Sequence, residues 1–219
     1  MRATTLLLLL ATVSGAACSS SRRALTETPE APPFDDVNAE REGQAALAAP
    51  DLARRLGSRF RAYGLQPVTR TDRRHALAPD TIAAAFVAGK DALRASHLIV
   101  VVVSQQASPA ALGGFAELAR VMARLARYYL IPEPTLLFAT LPAGRERLVL
   151  EQLTRAPMWP TDSVEVLVIG NGLPGARTTV VPEQATAGAT ARAAYTLLFQ
   201  SAYNHRTVAK GDSVLRSGN

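Results

Sequence analysis

The most continuous apolar run in the interior of the chain is His97–Ser104, β-branched from Ile99 to Val103 and bounded by polar residues. A run of that length with no alternation reads as a strand buried on both faces, at the centre of a sheet covered by helices. The next segment changes period. Leu112, Phe115, Ala119, Met122 and Ala126 form one stripe, after Ser108 as a cap and Pro109 at the first helical position. Glu117, Arg120, Arg124 and Arg127 fall on the outer face of this helix, and Gly113 and Gly114 imply close packing of the helix on the sheet. Upstream, Asn38–Tyr63 is helical, with Ala45, Leu47, Leu52, Leu56 and Phe60 on the apolar face, a break at Pro50–Asp51 and a stop at Gly64. Strands are expected at Gln66–Arg70, Thr81–Val87, Thr135–Thr140 and Val164–Ile169, with an edge strand at Thr178–Val181. A short helical turn at Asp91–Ser96, a helix at Arg145–Arg155 and a final helix at Glu183–Tyr203 complete the pattern. Strand–helix alternation of this kind predicts an α/β three-layer sandwich: a mixed, mostly parallel sheet with helices on both faces.

The N-terminus changes this picture. Arg2, the apolar run Leu6–Val13 and the small residues Gly15, Ala16 and Ala17 have the layout of a secretory signal over residues 1–17, too short to span a membrane. The single cysteine, Cys18, follows at once. It resembles the acylated cysteine of bacterial lipoproteins, although Gly15 stands where such boxes carry an aliphatic residue; an ordinary secreted chain is the alternative. Residues 18–36, rich in Ser, Thr, Glu and Pro, read as a flexible tether. The single domain is expected over 37–206, and 207–219 as a frayed tail. The expected location is the cell envelope, on the periplasmic side of the outer membrane, held through a lipid anchor such as palmitate.

A net charge of +6 comes mainly from scattered arginines with no basic run interleaved with aromatics, which gives no support to nucleic-acid binding. His75, His97 and His205 have no companion ligand at useful spacing. Ser104 lacks the Gly-x-Ser-x-Gly elbow of a nucleophile. Gly170–Gly175 lacks the lysine of a phosphate loop, and Trp159 reads as a hydrophobic plug or an exposed partner contact.

Several pieces, in order, resemble the co-catalytic di-zinc aminopeptidases, a clan that includes glutaminyl cyclases and the inactive peptidase-like domain of the transferrin receptor. They are Leu56–Val68 with its Gly64-Leu65-Gln66-Pro67 ending, Phe86–Arg94, Glu117–Arg120 and Thr135–Thr140. The resemblance implies two zinc ions beyond the central strand, but its ligand positions are altered. Ser104, Gln105 and Gln106 stand at the family's His-x-Asp, Ala107 or Ser108 at its bridging Asp, Gly144 and Arg145 at its glutamate pair, and Asn171 nearest its next Asp. Glu146 lies one residue from the glutamate register. The expectation is a non-catalytic relative with no metal and no cofactor. It would act as a binding or structural module for an envelope protein or peptide, with those six residues (Ser104, Gln105, Gln106, Gly144, Arg145 and Asn171) lining a vestigial cleft. A hydrolase with a relocated active site is the competing expectation.

Overall fold

The computed structural model describes residues 33–68, 82–90, 97–155, 163–173 and 178–203. Cys18, His75, Trp159, His205 and the expected turn at Asp91–Ser96 lie outside the described residues.

The strands are β1 (Gln66–Pro67), β2 (Ala84–Val87), β3 (His97–Ser104), β4 (Thr135–Leu141), β5 (Ser163–Ile169) and β6 (Thr179–Val181), in the order β1-β2-β4-β3-β5-β6. The β4–β3, β3–β5 and β5–β6 pairs are parallel; β1–β2 and β2–β4 are antiparallel. The helices are α1 (Asp36–Leu47), α2 (Leu52–Tyr63), α3 (Pro109–Tyr128), α4 (Glu146–Arg155) and α5 (Ala187–Tyr203). This is the expected α/β architecture with a mixed, mostly parallel sheet. No helix among the described residues is long and apolar enough to cross a membrane.

Strand β3 is buried along its apolar length, as its composition requires. Ile99, Val101 and Val103 join one core with α2, α3 and α5; Leu98, Val100 and Val102 join a second with α4. Chain direction explains the two layers. The β3–α3–β4 crossover moves one way along the sheet and the β4–α4–β5 crossover moves back past β3. Both crossovers keep one hand only if α3 and α4 lie on opposite faces.

The first core is built on close contacts between helices. A Cβ on Gly43 of α1 would stand 2.1 Å from the Pro109 carbonyl oxygen, and one on Gly113 of α3 would stand 2.2 Å from the Ala39 carbonyl oxygen. A Cβ on Gly114 would stand 2.8 Å from Thr190 of α5. The glycine pair of α3 therefore faces α1 and α5, not the sheet. Phe60, Phe115 and Phe138 carry the core from α2 through α3 to β4, with ring centroids 5.8 and 6.0 Å apart.

Three further expectations change. Glu117 is not on an outer face; it is 1% exposed. Its carboxylate accepts two hydrogen bonds from Arg120, at 2.8 and 2.6 Å, and one from the Asp35 backbone N–H at 2.7 Å. Helix α3 is covered by helices on its far side as well, so the side opposite the apolar stripe is interior. Leu47 is 52% exposed, and α1 buries Ala39, Glu42, Gly43 and Ala46 instead. Small residues are needed there because the α1 and α3 backbones nearly touch. Helix α5 begins at Ala187 rather than Glu183, because Thr186 caps it by accepting the Ala189 N–H at 3.1 Å. At α2, Gly64 ends the helix in the left-handed conformation (φ +89°), as its sequence position implies.

Candidate functional site at the carboxyl ends of β3 and β4

Strands β3 and β4 are neighbours whose outgoing loops turn to opposite faces of the sheet, so a crevice opens between their carboxyl ends. A cavity of about 360 Å³ lies there. Its walls include Gln105 and Gln106 after β3, Pro142 and Ala143 after β4, and Leu47 and Asp51 from the α1–α2 corner.

Backbone bonds fix the floor. The Gln105 N–H donates to the Leu141 carbonyl and the Ala107 N–H to the Ser104 carbonyl. Side chains complete it. The Ser104 hydroxyl accepts the Gln106 N–H at 3.2 Å and donates to Glu146 Oε1 at 3.4 Å. Gln105 Nε2 donates at 3.2 Å to Thr140 Oγ1, which also accepts the Ala83 N–H at 3.0 Å. Glu146 lies in the first turn of α4, where a carboxylate is favoured by the helix dipole. Asp51 forms an ion pair with Arg54 at 3.0 Å.

The structure brings Ser104, Gln105 and Gln106 together with the β4–α4 loop that holds Gly144 and Arg145. Gly144 takes a positive φ of 70° in that turn, and Arg145, exposed, donates its N–H to the Pro142 carbonyl. Asn171 is exposed and follows Gly170, which faces Ala107 and Ala111 at the start of α3. It belongs to the end of β5; of the six residues expected along a cleft, Gln105 and Gln106 stand in the wall of the cavity. The sequence placed neither Thr140 nor Asp51 at this end, and set Glu146 one residue off the glutamate register. The Pro50–Asp51 break was the one signal that a corner folds over this end.

The donor set does not fit a pair of zinc ions. A co-catalytic site needs converging carboxylates and imidazoles. Here amides and apolar groups line the crevice; Asp51, the carboxylate in its wall, pairs with Arg54, and Glu146 nearby accepts from Ser104. Among the described residues no group of three His, Cys, Asp or Glu is placed to hold a metal ion.

No protein-family model and no curated protein matches this chain. Among solved structures it is similar to a Zn-dependent exopeptidase from Parabacteroides distasonis (11% identity, TM-score 0.43, covering 64% of this chain and 62% of that one). It is also similar to the aminopeptidase PepT from Bacillus cereus (11%, 0.45, 64% and 44%) and to the glutaminyl cyclase of Porphyromonas gingivalis (12%, 0.43, 62% and 59%). The chain spans less than two thirds of the length of each. At this identity and overlap the likenesses speak to neither its chemistry nor its partners.

A second polar cluster lies at the opposite end of the sheet. His97 Nδ1 meets Ser163 Oγ at 2.5 Å, His97 Nε2 lies 3.6 Å from Glu165, and Glu165 accepts a hydrogen bond from Ser201 at 2.9 Å. His97 starts the central strand, and its partners Ser163 and Glu165 both come from β5, while Ser201 of α5 reaches Glu165.

Proposed function

We propose that the chain is an envelope lipoprotein, acylated at Cys18, with a reduced aminopeptidase-like domain that binds without hydrolysing. The ligand is an extended peptide-like segment of an envelope partner, taken in the crevice between β3 and β4. One observation carries this reading: the crevice is open, but its walls offer the amides of Gln105 and Gln106 where hydrolysis would need converging carboxylates and imidazoles. A primary amide presents both a donor and an acceptor, which matches a peptide backbone.

The test has two arms. Purified chain is analysed for zinc and assayed on a panel of aminoacyl amides; neither stoichiometric zinc nor turnover is expected, and either one overturns the reading. Binding to an array of extended peptides is then compared with Ala143→Arg, which fills the crevice and should weaken binding tenfold or more. Mass spectrometry of the membrane fraction checks acylation, which Cys18→Ser should abolish.

The hydrolase reading has one observation in its favour, the Ser163–His97–Glu165 line, which orders a hydroxyl, an imidazole and a carboxylate as nucleophilic catalysis does. Ester hydrolysis lost in both Ser163→Ala and His97→Ala would establish it.

A further inference from the structure

The two ends of α3 sit in different surroundings. Its N-terminus opens at the crevice. Its C-terminus, at the amino end of the sheet, runs into Tyr128, Tyr129 and Ile131, which are 63%, 66% and 47% exposed. Arg124 and Arg127 flank them and are also exposed. The Arg127 guanidinium lies 5.2 Å from the centre of the Tyr128 ring. Nearby, Lys90 is neutralised by Glu133 at 2.6 Å.

The chain joins the fold at this same end. Helix α1 runs antiparallel to α3: Gly43 faces Pro109, Ala39 faces Gly113, and Asp35 reaches Glu117. Arg120 then holds the Pro33 carbonyl at 3.0 Å. Pro33, where the described part of the chain begins, therefore lies at the aromatic and arginine-bearing end, away from the crevice. Residues 19–32 between Cys18 and Pro33 can reach at most about 50 Å when extended.

We infer that this end is the surface the domain lays on an anionic bilayer, with the crevice facing away from the membrane. Tyrosine suits the headgroup region, where its ring is dehydrated while its hydroxyl stays wet. Arg124 and Arg127 add attraction to lipid phosphates, about fivefold in binding for each arginine near an anionic surface. A second copy of the chain is the poorer occupant, because a two-fold contact would set these arginines against themselves. The orientation rests on the lipoprotein reading, since acylated Cys18 brings the domain to the membrane; the patch itself is measured without the acyl chain.

The experiment uses the full chain with Cys18→Ser, sedimented with vesicles of phosphatidylcholine containing 30% phosphatidylglycerol, or none. All variants share residues 1–32, so differences between them belong to the patch. Combining Tyr128→Ser, Tyr129→Ser and Ile131→Ser should weaken binding to the anionic vesicles more than tenfold. Arg124→Gln with Arg127→Gln should weaken it about twentyfold or more and remove the preference for anionic lipid. The arginine pair is exposed, so it keeps the test valid if the apolar set fails to fold. Equal binding by the parent and the arginine variant overturns the inference, as does dimerisation through the patch in its place. A chain found unacylated at Cys18 but still binding through the patch overturns only the lipoprotein reading.

Discussion

The helical layer of α1, α3 and α5 and the crevice at the ends of β3 and β4 treat charge in opposite ways. In the layer two carboxylates are sealed from water. Glu117 is held by Arg120, and Glu42, 2% exposed, is held by Arg59 at 2.8 Å and Arg55 at 3.5 Å. In the crevice Asp51 stays partly exposed among amides and methyl groups, and Glu146, beside Ser104, is partly exposed as well. A buried carboxylate is stable only with its partners in place. Among the described residues, the acidic side chains positioned most firmly therefore hold helices together, and no three metal-ligating groups converge at the crevice.

The largest expected effect tests that statement directly. Glu117→Ala leaves the half-buried Arg120 without its partner and the Asp35 N–H without an acceptor, and should cost about 3–5 kcal/mol in urea unfolding. Removing both Glu117 and Arg120 should cost less than the sum of the single changes. A loss below about 1 kcal/mol for Glu117→Ala would dissolve the contrast between the two regions.

The glycines of the same layer come next. Gly43→Ala and Gly113→Ala each drive a methyl group into backbone of the facing helix and should destabilise by about 1–3 kcal/mol or more. Gly57, inside α2, has nothing within 4 Å of its virtual Cβ. Gly57→Ala should instead add about 0.5–1 kcal/mol through helix propensity. Thermal unfolding of the three variants reads both signs. If all three behave alike, close approach of the helices is not what holds the layer.

These residues also mark how far sequence reasoning reached. The β3 strand was legible because an uninterrupted β-branched run has one favourable place, a doubly covered sheet centre. The two-helix start and the Gly64 stop were legible because proline and glycine act locally. Glu117 was not. Its partners are Arg120, one turn away, and a backbone N–H from Asp35, far off in sequence, so a helical wheel assigns it to solvent with the arginines around it. Gly113 and Gly114 signalled close packing but pointed to the sheet, whereas the neighbours they meet are Ala39 of α1 and Thr190 of α5. At the crevice, Ser104, Gln105 and Gln106 followed from the end of β3 alone. Thr140 and Asp51 enter through pairing across the sheet and through a corner between helices, which no local pattern encodes.

Crevice substitutions should be mild by comparison. Gln105→Ala removes the bond to Thr140 and should cost about 1 kcal/mol. Gln106→Ala, on an exposed side chain, should stay within about 0.5 kcal/mol while altering peptide binding. A crevice residue as costly as Glu117 would mean that this end is a second packed core, not a site.

The smallest effect appears only in alkali. Burial raises the pKa of Tyr63 above its ordinary value of 10.0, and the negative charge of Glu42 adds to the rise; burial alone raises Tyr195. Above pH 10 the unfolded chain releases phenolic protons that the folded chain retains. The unfolded state then binds fewer protons, so stability falls as pH rises. The contribution is complete below pH 10 and is lost as pH climbs through the raised values. Melting temperatures from pH 9 to 11 should therefore decline more steeply for the parent chain than for Tyr63→Phe, whereas Gln106→Ala should follow the parent. If Tyr63→Phe follows the parent too, the ring is hydrated, and the seal that separates the helical layer from the crevice is less complete than its two sheltered carboxylates imply.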